Sequence, residues 1–102
     1  MDKREVAMIG FEIVAYAGEA RSYLLQALKE AKNGDFSNVE TLKEKANESI
    51  LKAHKSQTEM LTMEARGEDV EIGFIMVHGQ DHLMTTILLK DIIDNLIDIY
   101  RG

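Results

Sequence analysis

The chain has 102 residues, enough for one small domain whose core is limited, so association with further copies is an available source of stability. Its net charge of −6, from 18 acidic and 12 basic residues, argues against a sequence-independent nucleic-acid binder and against docking on an anionic membrane. The absence of cysteine excludes a disulfide frame and a thiolate metal site.

Lys3 and Arg4 precede an apolar stretch, and Ala15-Tyr16-Ala17 mimics a signal-peptidase site. Glu5 and Glu12 interrupt that stretch, and its helical pattern continues past Ala17, so no cleaved leader is expected. No segment approaches the ~20 apolar residues of a membrane span. The expected address is the cytoplasm.

The first predicted element is a helix over about Lys3 to Lys32. Gly10, Ala17, Leu24 and Ala31 recur every seven residues, with Ile13, Ala20 and Ala27 between them. This is a heptad seam made mostly of small residues, which lets a neighbouring helix come close. Gly10 and Gly18 are read as packing residues of that kind. Asn33-Gly34-Asp35 ends the helix, with Gly34 as the left-handed cap residue.

Ser37-Asn38-Val39-Glu40 fits the capping box that opens a helix. The second helix is predicted over about Asn38 to Arg66, with an apolar stripe of Val39, Leu42, Ala46, Ile50, Ala53, Met60 and Met63. Gln57 falls on that stripe. Gly67 stops the helix, and the third is predicted to start between Val70 and Phe74 and to run to Tyr100. There is no proline, linker or low-complexity segment. Two short links between three long helices predict an all-α, antiparallel up-down-up bundle, a single domain over residues 1–102.

The third helix carries the most information. At 100° per residue, Lys90, Asp91, Asp94, Asp98 and Arg101 fall in one sector opposite His78. Most of the remaining circumference is apolar, far more than the roughly 100° stripe a monomer needs. That excess predicts burial on two sides, against the chain's own helices 1 and 2 and against another subunit. His78, Asp81, His82 and Thr85 share one face inside this apolar arc, above Leu88, Leu89 and Ile92. Polar groups there cost free energy unless satisfied, so a sequence selected for stability alone would place leucine at such positions.

Four readings account for His78-Gly79-Gln80-Asp81-His82. The first is a satisfied polar network with no chemistry. The second is a zinc site, because His-x-x-Asp-His resembles the H-x-x-E-H spacing; it lacks an evident third ligand, and His54 is the only other histidine. The third is a scaffold whose apolar stripe is simply a bundle core. The fourth is phosphoryl transfer through a histidine. An imidazole nitrogen can attack phosphorus and leave again, and such a relay needs positioning more than catalytic machinery. His78 lies in the first turns of its helix, where free amides and the dipole favour phosphate. Gly79 lets a partner approach closely, while His82, Gln80 or Thr85 supplies donors or sets the imidazole tautomer.

Three stretches together carry a family resemblance: H-G-Q-D-H-L-M-T-T-I-L-L-K-D from His78 to Asp91, G-F-E-I-V-A-Y-A-G-E-A-R-S from Gly10 to Ser22, and H-K-S-Q-T-E-M from His54 to Met60. They resemble the lactose/cellobiose-class enzyme IIA of the bacterial sugar phosphotransferase system over nearly the whole chain. The resemblance implies a cytoplasmic homotrimer of three-helix subunits, a nine-helix bundle. It implies that His78 accepts a phosphoryl group from the carrier HPr and passes it to a cysteine of the IIB component. The sugar is phosphorylated at the membrane IIC component, so lactose, cellobiose and chitobiose all stay open. Asp81 from each of three subunits would surround a divalent metal, magnesium, on the threefold axis, which answers the cost of a buried carboxylate. His82 would support the phosphate, with Gln80 and Gln57 as further supporting residues. His54 is read as a surface or interface residue.

Overall fold

A computed structural model describes residues 1–102, and it contains three α-helices and no strand. They are α1, Lys3–Lys32, α2, Val39–Ala65, and α3, Phe74–Arg101. At 1.5 Å per residue each helix is about 40–45 Å long. The molecule measures 50 × 20 × 17 Å, so every helix runs its full length and the short links reverse the chain. No helix is long and apolar enough to cross a membrane.

The small-residue seam decides the packing. Val6, Gly10, Ile13, Ala17, Ala20, Leu24, Ala27 and Ala31 are all buried on α1. With so little side chain between them, α2 and α3 each lie close along α1 and touch one another little. The wide apolar arc of α3 predicts packing against both other helices; it packs chiefly on α1. From α3, the fully buried Leu83, Thr86, Ile93 and Ile97 reach this seam, and from α2 Ala46 and Ala53 do.

The tightest crossing joins two glycines. A Cβ added to Gly79 would stand 2.9 Å from the Gly10 carbonyl oxygen, and one added to Gly10 would stand 3.0 Å from the Met76 backbone. Gly79 therefore admits the chain's own α1, and its expected use for an approaching partner is corrected. Gly18 has open space beside it and packs against nothing, contrary to the expectation for it.

The helix ends follow local chemistry. Gly34 and Gly67 take φ of +80° and +81°, the left-handed conformation that glycine adopts without strain. The predicted capping box does not form. Asn38 occupies the cap position of α2 without a side-chain bond. The Ser37 hydroxyl donates instead to Asp35 Oδ1 at 2.6 Å, and the Ser37 amide donates to the same oxygen at 3.0 Å. The Asp35 carboxylate takes the Ser37 amide that Glu40 would accept in the box, and it closes a turn of its own.

The charged sector of α3 lies toward α2. Asp94 pairs with Lys43 at 3.2 Å and with Lys90 at 3.4 Å, and Arg101 pairs with Glu40 at 3.2 Å. Such half-exposed pairs add little stability, but they set how α3 is turned. With its charges toward α2 and its core residues on α1, α3 presents a third face outward. Leu88, Ile92, Leu96 and Ile99 follow one another along it, and all are exposed.

Candidate functional site

That outward face begins, at the start of α3, with the polar cluster. His78, Asp81, His82 and Thr85 line one open pocket, and Arg21 from α1 completes it. Helical spacing of 3, 4 and 7 residues brings the four side chains of α3 together. His78 and Asp81 are exposed, and His82 is half-buried beneath them. The two imidazoles meet edge to face with centroids 4.6 Å apart and planes at 81°. The Thr85 hydroxyl donates back to the Asp81 carbonyl at 2.6 Å, which leaves its oxygen to accept from Arg21.

His78 begins the second turn of α3. The Val77 amide already donates to the Gly73 carbonyl at 3.4 Å, so the free amides belong to the turn before the histidine. Only the helix dipole of the expected N-terminal anion site reaches His78.

The pKa of His82 is lowered. Burial lowers its pKa from 6.5 most, then the Arg21 charge and then His78; Asp81 opposes them. Its Nδ1 is buried without a partner. Because the folded-state pKa lies below the unfolded one, the unfolded chain binds more protons between the two values. This contribution to stability is complete above pH 6.5 and is lost as pH falls through the folded value. Denaturation midpoints from pH 7.5 down to 5 should therefore fall more steeply for the wild type than for His82→Gln. Parallel slopes would show that His82 does not titrate differently on folding.

Gln57 and Gln80 stand apart from this pocket. Two positions after His78, the Gln80 side chain leaves the opposite side of α3. The Gln57 amide donates to Gln80 Oε1 at 2.5 Å and contacts the Met84 sulfur at 3.3 Å. This polar bridge is one of the few ties between α2 and α3. Within one chain, neither glutamine lines the histidine pocket. Gln80 faces instead an apolar groove formed by Met60, Leu61, Val70, Ile72, Met76 and Val77, with Asp81 at its edge. His54 is exposed on α2.

No group of three His, Asp or Glu side chains in the chain is placed to hold a metal ion. The zinc reading therefore lacks a ligand set within one chain. Asp81 makes no ion pair and is exposed, on the face that continues into Leu88 and Ile92. Its carboxylate suits a hard cation, provided other copies bring further oxygens.

Sequence reasoning passed over Arg21, although a signal was present. It is the only cation between Arg4 and Lys29, one helical turn from buried Ala17 and buried Leu24.

Comparison with known proteins agrees with the geometry. Residues 8–101 match the family described as "PTS system, Lactose/Cellobiose specific IIA subunit". The chain is 56% identical over 101 residues to the lactose-specific EIIA component of Staphylococcus epidermidis, covering 99% of this chain and 97% of that one. The fold is similar to the crystal structure of the cellobiose-specific enzyme IIA of Bacillus anthracis, with a TM-score of 0.91 and 39% identity over 99% of this chain and 91% of that one. It is similar also to IIA(Chitobiose) in its solution complex with HPr, from the Escherichia coli phosphotransferase system. There the TM-score is 0.77 and the identity 31%, over 99% of this chain and 95% of that one. A three-helix bundle with a histidine pair beside an exposed apolar stripe, matched along nearly its whole length, belongs to the lactose/cellobiose-specific IIA family of the sugar phosphotransferase system.

Proposed function

We propose that this chain carries a phosphoryl group on His78, received from phospho-HPr and delivered to a IIB component during uptake of a disaccharide of the lactose, cellobiose or chitobiose class. The observation that carries the reading is the pocket itself: an exposed imidazole beside a half-buried one, with a guanidinium and a hydroxyl on the same wall. A relative's structure in complex with HPr supports the donor. The work takes place in the cytoplasm.

The chemistry is a transfer between two nucleophiles. A lone pair on one His78 ring nitrogen forms the new N–P bond as the donor's bond to phosphorus breaks. The ring proton stays on the other nitrogen until the group leaves. In delivery the acceptor thiolate attacks, and His78 departs as neutral imidazole. The protein supplies orientation and charge stabilisation rather than acid–base steps. Intact-protein mass after incubation with phosphoenolpyruvate, enzyme I and HPr tests the reading. One acid-labile phosphoryl group per chain is expected; none, with HPr shown to be active, would sink it.

The exposed stripe supports a homotrimer in which three α3 helices meet. Leu88, Ile92, Leu96 and Ile99 form a contiguous exposed apolar stripe, the kind of surface that marks an interface. They are 36–72% exposed, so covering the remainder is worth roughly half of the ~1.5–3 kcal/mol that full burial of such a side chain carries, before the cost of association. Three Asp81 carboxylates would then gather on the axis and share a divalent cation, magnesium by family resemblance. That ion would neutralise them. Asp81→Leu should accordingly stay trimeric, or assemble more tightly, and should lose the sensitivity of assembly to chelators. Sedimentation with and without EDTA reads both; a wholly monomeric variant would remove Asp81 from the axis.

A further inference from the structure

Arg21 is a cation without an anion. The side-chain ion pairs of the chain are Lys43–Asp94, Lys90–Asp94 and Arg101–Glu40, and Arg21 takes part in none of them. It is half-buried, and its Nε has no partner although it is closed off from solvent. One terminal nitrogen, Nη2, donates to the Thr85 hydroxyl at 3.0 Å and to the Thr86 hydroxyl at 3.5 Å. Hydroxyls orient a guanidinium without neutralising it. A protein that needed only a tie between α1 and α3 at this point could use a neutral side chain. Instead a fixed positive charge stands in the pocket of His78.

We propose that Arg21 is the group that holds the phosphoryl oxygens of phosphorylated His78. This rests on the phosphocarrier reading above and deepens it. The guanidinium is planar and forked, which suits two phosphoryl oxygens at once. Thr85 and Thr86 place the fork before the phosphoryl group arrives, so little side-chain freedom is lost on transfer. Arg21 leaves the proton and electron bookkeeping of the transfer unchanged, because it acts through charge and hydrogen bonds alone.

The test compares wild type, Arg21→Gln and Arg21→Lys, each phosphorylated through HPr. With Arg21→Gln, transfer from phospho-HPr should slow by about 10²-fold, the usual effect of removing one preorganised donor to developing negative charge. The second ionisation of the phosphoryl group, followed by phosphorus NMR, should move to higher pH because a stabilising cation is gone. Arg21→Lys should restore the ionisation largely and the rate only partly, since it keeps the charge and loses the fork. A merely structural tie would leave the ionisation unmoved. If Arg21→Gln is poorly folded, the wild type answers alone: the Arg21 terminal N–H resonances should shift downfield on phosphorylation. Normal transfer and unshifted ionisation in Arg21→Gln, or unmoved guanidinium N–H signals in the wild type, would overturn the proposal while the carrier reading stands. A wild type that takes up no phosphoryl group would overturn both.

Discussion

His78→Ala should take up no phosphoryl group at all, whereas His82→Ala should take one up more slowly. The contrast follows from where the two rings sit. His78 is exposed, so its removal leaves no cavity, and alanine is the better helix former. The variant should therefore fold and assemble as the wild type does, and its inactivity is chemical: a methyl group has no lone pair to offer phosphorus. His82 is half-buried beside it, and the two rings lie 4.6 Å apart. Its loss removes support for the phosphoryl group and for the His78 ring while leaving the nucleophile in place. Intact-protein mass after the phosphorylation relay reads both variants in one experiment, with circular dichroism showing that the helices persist. An acid-labile gain that survives in His78→Ala but vanishes in His82→Ala would exchange the roles of the two histidines. Such a gain in both would remove the nucleophile from the cluster altogether.

The helices were legible in the sequence because their signals are strong and local. The 3-4 spacing of small residues from Gly10 to Ala31 permits no alternative period, and the glycines at 34 and 67 stop the chain where only glycine adopts the required backbone. The face shared by His78, Asp81, His82 and Thr85 was legible for the same reason, since helical spacing alone places it. What escaped depended on distance in the sequence. The capping box at Ser37 lost to Asp35, a competition between two acceptors that spacing cannot rank. Gln57 and Gln80 share a bond because α2 and α3 cross there, and no periodicity within either helix shows the crossing. Arg21 reaches Thr85 across 64 positions of chain, so only the packing of α1 on α3 brings it to the histidines. Gly79 lies inside the motif, and its neighbours there suggested a functional role; its actual constraint comes from Gly10, far upstream.

Gly79→Val should be the most destabilising single change near the site, costing upwards of about 2 kcal/mol. The branched side chain would start from a Cβ 2.9 Å from the Gly10 carbonyl oxygen and 3.4 Å from the Ile13 Cβ. Backbone cannot step aside as a flexible side chain can, so α1 and α3 must part locally. Overpacking of a fitted core costs about 1–3 kcal/mol and sometimes more. The gain from replacing a mid-helix glycine is less than about 1 kcal/mol. Parting the helices would also move His78, the residue next to Gly79, away from Arg21, so the surviving folded fraction should transfer phosphoryl groups slowly. Gly18→Ala is the matched control. It lies on the same helix as Gly10 with nothing within 4 Å of its added Cβ, so it should stabilise the chain by about 0.5–1 kcal/mol. Urea unfolding of the two variants at one protein concentration should displace the midpoint in opposite directions from the wild type. Equal and small displacements would mean that the α1–α3 crossing is loose enough to admit a side chain, and that the histidine pocket does not depend on it.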